Sequence, residues 1–435
     1  PNPEQPVPKR GDPMTRAAIL LIAFPLLTAA QDISGEWEFT AHRMGMDTYA
    51  RVTLKTESDK LTGSLNELKF EGTVHGNTID FIARRPNGDK FGTFHGTLQA
   101  GELSGDAVWL EKEKLTWSAH RSVPRPASPT VHDFEPTQFH RLFSGSIPPV
   151  MRIFPGDTVR TWTVDAGGFD KHGERRSMGG NPETGPFYIE GAFPGDTLVI
   201  KLVKVRLNRD TAESGGEISS NAVTPDYVHD AKYDEKFNSE WKLDREKGIA
   251  MLAKPTARLK NYTVKLQPML GCMAVAPPAM QSFRTGQLGS FGGNMDYNQM
   301  REGATVYLPV YQPGAIFFLG DGHAAQGDGE LTGDALETSM DVEFTVDIVK
   351  GYSTDGPRAE NDDYVMSMGI AGSPGEAMQQ ATAQLASWLE KDYKLTANES
   401  AVLLGTALRY DIAEVVDPMY HVVAKVSKSA LAALK

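Results

Sequence analysis

Between Gly320 and Glu330 the chain reads GDGHAAQGDGE, setting Asp321, His323, Asp328 and Glu330 among glycines directly after the apolar run GAIFFLG. A neutral imidazole with several carboxylates is the donor set taken by Zn²⁺ or a similar divalent cation. Glycine backbone lets such a loop fold tightly enough for neighbouring side chains to converge. Asp-Gly and Gly-Asp pairs are also common turn elements, so this loop alone fits a solvated turn as well as a ligand site. It is not an EF-hand. Counted from Asp321 the sixth and twelfth positions are Gln326 and Thr332, and counted from Asp328 the twelfth is Ser339, so the bidentate glutamate is missing.

Two other stretches offer similar groups. FGGNMD places Asn294 and Asp296 just after a glycine pair, and TVDAGG ends an alternating run on Asp165. Carboxylates beside glycines at several strand ends are what a site at the mouth of a β system requires. Other chemistries lack their signatures: there is no H-E-x-x-H, no G-x-S-x-G, and no Walker or Rossmann glycine pattern in context. Cys272, in the apolar LGCMAVAPP, reads as a small packing residue rather than a nucleophile.

The elements that must position these residues fall into two parts. From residue 32 to about 123, short alternating runs such as GEWEFTA, YARVTLKTE and TIDFIARR are separated by Gly, Asn-Gly and Asp-rich turns. This reads as a small β-barrel or meander, weakly similar to lipocalin-like modules, with His75, His95 and His120 as scattered surface histidines. SVPRPASPT then marks a Pro-rich linker, 124–130. In the second part, 131–435, IFPGDTVRTWTV and AFPGDTLVIKLVKV repeat a Pro-Gly-Asp turn feeding a strand, and YQPGAIFFLGDGH is a looser third version. All three are expected in one large sheet system. The polar stretch from Arg209 to Leu259 reads as a surface excursion. Helical spacing of Met378, Ala381, Leu385 and Leu389 predicts a helix, and Thr396 with Glu399 a capping box opening another. YDIAEVVD and YHVVAKVS read as strands. The fold class expected is β-rich α/β (α+β), with a β-dominated second domain and C-terminal helices.

Taken together, NPETGPFYIEGAFPGDTLVI, FGGNMD, VYLPVYQPGAIFFLGDGHAAQGDGELTGDALE and VVDP resemble the acetamidase/formamidase family over about residues 131 to 434. The resemblance implies hydrolysis of a short amide to carboxylate and ammonia, a bound divalent metal (zinc first, calcium second) and a homodimer. By position it implies metal ligation by Asp165, Asp296 and His323, with Asp321 as a further ligand. Glu337 and Glu330 become the candidates for general base or for orienting a ligand. Asn181, Asn294 and Asp328 are candidates for contact with substrate, although Asn181 fits a tight turn and Asp328 a loop-shaping role equally well. Two rival readings stay open: a non-catalytic binding protein stabilised by metal, and a metal hydrolase of a larger amide or lactam.

The bulk properties set the context. A net charge of −12 and the absence of any Lys/Arg run argue against a nucleic-acid partner. MTRAAILLIAFPLLTAAQD, with Arg16, an apolar stretch and small residues up to Ala30, reads as a secretory signal peptide following a leader. Met14 is then the expected start, 1–31 the leader and signal, and the mature protein secreted or periplasmic without stable membrane insertion. The single Cys272 allows no intramolecular disulfide, so the fold must stand on its cores.

Overall fold

A computed structural model describes residues 31–110, 112–121 and 123–434. Of the leader and signal peptide, read over 1–31, residues 1–30 lie outside the described residues.

Alternation in the first part produces a closed eight-stranded barrel between Gly35 and His120. Each strand pairs antiparallel with the next, and the first strand, Gly35–Arg43, closes against the last, Glu113–His120. Inward residues stack as aromatics: Phe81 lies on Phe94 with centroids 4.6 Å apart, and Phe39 on Trp117 at 5.1 Å. Residues 123–130 contain neither helix nor strand. His95 and His120 sit on the barrel beside Asp80 and Glu38, at 2.7 and 3.2 Å.

Two larger sheets follow. Six strands run in the order Met151–Ile153, Thr184–Ile189, Phe317–His323, Met269–Ala274, Gly292–Asn294, Leu288–Gly289. Nine run in the order Arg409–Glu414, Tyr420–Ser427, Tyr364–Ala371, Arg358–Glu360, Thr305–Pro309, Thr197–Leu207, Met340–Val349, Thr158–Thr163, Val131–Asp133. Phe187 and Phe317 of the first sheet meet Phe344 of the second edge to face, at 5.3 and 5.5 Å. Burial of such rings contributes to the cohesion between the sheets.

The echoed turns are built alike. In each, the aspartate N–H donates to the phenylalanine carbonyl three residues back, Asp157 to Phe154 at 2.9 Å and Asp196 to Phe193 at 3.0 Å. Gly156 and Gly195 hold φ of 93° and 94°, which the third position of a type II turn demands. Their strands, Thr158–Thr163 and Thr197–Leu207, flank the same neighbour, Met340–Val349. The third version departs from the expectation of one sheet system, because Phe317–His323 belongs to the six-stranded sheet.

The β-rich expectation holds, but the α/β part is only loosely met, with four α-helices among the described residues. Helix Pro374–Asp392 is present, yet Met378 is 43% exposed while Ala377 and Trp388 join Ala381, Leu385 and Leu389 on the buried face. The capping box of Thr396 and Glu399 forms as read. The polar stretch after Arg209 is not a bare excursion. It folds into a four-stranded sheet with Thr211–Glu213, Glu240–Asp244, Ile249–Leu252 and Val264–Lys265. No helix among the described residues is long and apolar enough to cross a membrane.

Candidate active site and metal centre

The strand Phe317–His323 is buried along its whole length, so its last residues carry polar groups into the interior. His323 Nε2 lies 3.1 Å from Glu337 Oε1, 3.4 Å from Asp321 Oδ2 and 3.9 Å from Asp296 Oδ1. It makes no hydrogen bond of acceptable geometry to any of them. Asp296 Oδ1 and Oδ2, Asp321 Oδ1 and Glu337 Oε2 are likewise buried without partners. Groups of this kind are normally satisfied inside a protein, so four residues left open toward one point need explaining.

The other ring nitrogen explains part of it. His323 Nδ1 is 2.9 Å from Gln326 Oε1. The Gln326 amide nitrogen donates to the carbonyls of Asp296 and Ala413, which fixes Oε1 as the atom facing the ring. Nδ1 therefore carries a proton and donates, so Nε2 is the ring atom facing the carboxylates, and its lone pair becomes available once a cation displaces its own proton. This is the outer support usual for a metal-binding histidine.

Electrostatics point the same way. Burial, then the charges of Glu330 and Asp321, hold the Asp296 carboxyl well above the usual range. Burial also raises Glu330 strongly and Glu337 to about 7. His323 is driven well above its ordinary value although burial opposes this, because Glu337 and Asp321 outweigh it. Anions crowded this closely cannot all ionise unless a cation joins them.

Backbone shape is adapted to the cluster. Asp296, Asp321, Glu330 and Asn181 hold φ of 40°, 56°, 46° and 50°, a left-handed region that costs a non-glycine residue ~1–3 kcal/mol. Gly271, on the adjacent strand, leaves the central space open: a Cβ there would come within 2.3 Å of Asp296 Oδ1 and 2.7 Å of Asp321 Oδ2. Open donor atoms, the histidine tautomer and this cradle together fit a divalent cation. Asp296, Asp321 and His323 would hold it, with Glu337 alongside; His323, Glu330 and Glu337 form an overlapping donor group, and Asp296, Glu330 and Glu414 another.

The remaining residues expected from the sequence have other places. Asp165 is outside these donor groups; its Oδ2 lies 2.6 Å from Arg209 Nη2, and its Oδ1 accepts the Phe169 N–H at 2.8 Å. Arg209 Nη2 also reaches the Glu337 backbone carbonyl at 3.5 Å, which links Asp165 to the Glu337 backbone through Arg209. Asn181 donates to Asn294 Oδ1 at 2.8 Å and to Asp321 Oδ2 at 3.2 Å, and Asn294 donates to Asp417 at 2.7 Å. Asp328 is exposed and accepts from Asn298 at 2.9 Å. Cys272 is fully buried with its thiol pushed up by burial and by Glu183, which suits packing.

Several contributors escaped the sequence reading. Glu414 and Asp417 come from the far end of the chain, with burial raising them to about 8 and about 6. Glu183, completely buried, has both carboxyl oxygens unpartnered and is raised strongly by burial and by Asp321. Gly271 gave no signal at all. Asp417 was within reach, since VVDP belonged to the resemblance.

Above the cluster is a pocket of about 320 Å³ lined by Asn181, Asn294, Asp321, Glu330, Glu337 and Asp417, with Arg284 at its edge. A second cavity, of about 580 Å³, has Trp241, Tyr262 and Leu331 in its wall and shares Glu330 and Asp334 with the first.

Known proteins resemble this chain in sequence and in shape. A sequence model of the Acetamidase/Formamidase family matches residues 234–418. A formamidase of Methylophilus methylotrophus is 22% identical over 343 residues, 62% of this chain and 83% of that protein. An acetamidase of Mycolicibacterium smegmatis is 23% identical over 273 residues, 49% of this chain and 66% of its own length. The crystal structure of an acetamidase from Yersinia enterocolitica superposes with a TM-score of 0.61 at 27% identity, covering 72% of this chain and 96% of that one. The resemblance drawn from the motifs is thereby borne out.

Proposed function

We propose that this relative of the acetamidases and formamidases is itself an amidase, hydrolysing a short linear amide to a carboxylate and ammonia at the His323 cluster. The observation that carries this reading is the convergence of His323 Nε2 on the carboxylates of Asp296, Asp321 and Glu337, each of which has at least one buried oxygen without a partner, beneath a 320 Å³ pocket.

A divalent cation held there supplies Lewis acidity, polarising a carbonyl and lowering the pKa of a water. The protein's own residues do the rest. Asp296, Asp321 and His323 fix the position, and Gln326 keeps the imidazole in its binding tautomer. Glu337 has one oxygen occupied by the Ala335 N–H at 2.8 Å and the other free, so it can accept a proton from water and return it to the departing nitrogen. Glu330, which faces both the pocket and Glu414, is the second acid–base candidate. Zinc suits the donor set that includes the imidazole nitrogen; calcium suits the all-carboxylate set of Asp296, Glu330 and Glu414.

The test couples metal analysis with ammonia release. His323→Ala and Asp296→Ala are each expected to lose the metal and about 100-fold or more of the turnover of acetamide or formamide. Wild-type metal content in both variants would remove the ligand set. Metal retained by the native protein with no ammonia from any amide would favour the binding-protein reading. One observation favours a larger amide: the cavity walled by Trp241 and Tyr262 meets the pocket at Glu330 and Asp334. On that reading aromatic amides outpace acetamide, and Trp241→Ala removes the advantage.

Export and a homodimer complete the proposal. The first is supported by the apolar segment ending near Ala30 and checked by N-terminal sequencing of the mature protein. The second is implied by the family resemblance and checked by light scattering.

A further inference from the structure

A third pocket, of about 200 Å³, shares no lining residue with the one over the donor cluster. It is walled by Arg358 and Tyr307 of the nine-stranded sheet, by Tyr352 and Thr354 of the following loop region, and by Trp388 and Asp392 of helix Pro374–Asp392.

Arg358 is 2% exposed. Its Nη1 donates to the Tyr352 hydroxyl at 2.9 Å, while Nε and Nη2 have no hydrogen-bond partner. No carboxylate among the described residues pairs with it. The rings of Trp388 and Tyr352 lie 5.0 and 5.9 Å from its Cζ. Thr354, 4% exposed, also has an unpartnered hydroxyl. A guanidinium stays charged in any protein environment, and aromatic faces offset only part of the cost of burying it without a counter-charge.

The two open nitrogens define the ligand. Nε and Nη2 form one edge of the planar fork, whose spacing matches the two oxygens of a carboxylate. The Thr354 hydroxyl is a third buried donor without a partner, on a residue that lines the same pocket. Asp392 in the wall disfavours a dianion such as phosphate, and the volume admits only a small molecule. We propose that this pocket binds a small monocarboxylate, side-on to Arg358 and with a hydrogen bond from Thr354, separately from the His323 cluster.

The experiment titrates sodium acetate into the full chain by calorimetry, against sodium chloride at matched ionic strength. Saturable acetate binding is expected, weakened about tenfold by Thr354→Val and abolished by Arg358→Lys, with phosphate failing to compete. Thr354→Val removes one buried hydroxyl that bonds to nothing, so it is expected to melt as the native protein does and decides the matter even if Arg358→Lys does not fold. Absence of saturable binding at concentrations on the order of tens of millimolar overturns the proposal. So does acetate binding that is unchanged in Thr354→Val and lost in His323→Ala, which would place the anion at the donor cluster. Equal competition by phosphate overturns the monocarboxylate assignment.

Discussion

Gly271 shows how much a site can rest on an atom that is missing. A methyl group there would also meet His323 Cε1 at 3.0 Å, in addition to the Asp296 and Asp321 oxygens. All three contacts are ends of side chains, so the strand can absorb the change while the cluster cannot. Gly271→Ala is therefore expected to keep the native circular dichroism and to lose metal by tenfold or more, measured by elemental analysis of the dialysed protein. Native metal loading in that variant would mean that the space is not used. The residue could not be picked out in LGCMAVAPP, because its role depends on register: Cys272 pairs with Asn294 on one side and Gly320 on the other. Asp321, His323 and Asp296 could be picked out because each is a ligand type within three residues of a glycine. Asp165 satisfied that same rule, yet an arginine 44 positions further on takes its carboxylate.

At the scale of elements, local signals were readable and long-range pairings were not. The Pro-Gly-Asp turns and the Thr396 capping box are fixed by neighbouring residues and formed as read. The helix face shifted from Met378 to Ala377 and Trp388 because Gly369 on strand Tyr364–Ala371 lets the Ala377 backbone approach closely; a Cβ at 369 would stand 1.8 Å from the Ala377 carbonyl oxygen. The strand Tyr420–Ser427 also supports the site: His421 Nδ1 is 2.5 Å from the Met295 carbonyl and holds the GGNMD segment from behind. Burial lowers His421 to about 4 from an ordinary 6.5. The folded state thus binds the proton less tightly than the unfolded one. Its contribution is complete above about pH 6.5 and is lost as the pH falls toward 4, about 3 kcal/mol in all at about 1.4 kcal/mol per unit. Urea unfolding at pH 7 and pH 4.5 should show a smaller acid loss in His421→Gln than in the native protein. Equal losses would assign the acid sensitivity to the carboxylates alone.

Across the whole molecule, one of the repeated turns doubles as an attachment point for the barrel. Asp157 receives His132 Nε2, from the second domain's own edge strand, at 2.9 Å, whereas Asp196 receives Arg51 of the barrel through paired contacts of 2.6 and 2.7 Å. Arg51 also donates to the Gly191 carbonyl at 3.2 Å and stands 5.2 Å from the Phe193 ring centre, while Tyr49 meets that ring edge-on at 6.1 Å. Asp196 is fully buried and also accepts the N–H groups of Phe193 and Gly351, so its charge belongs to the second domain's own fold and cannot retreat into water. Removing the barrel's cation leaves that carboxylate inside without its counter-ion, a loss of about 3–5 kcal/mol. The pocket over His323 contains no residue before Ala166. Arg51→Ala should therefore lower the melting temperature by several degrees and speed proteolysis within residues 123–130, while metal content and amide turnover measured well below the melt stay native. An unchanged melt would show that the barrel is held by its apolar contacts with Phe193 alone. A fall in turnover at low temperature would show instead that the barrel reaches the chemistry through the sheet it docks on.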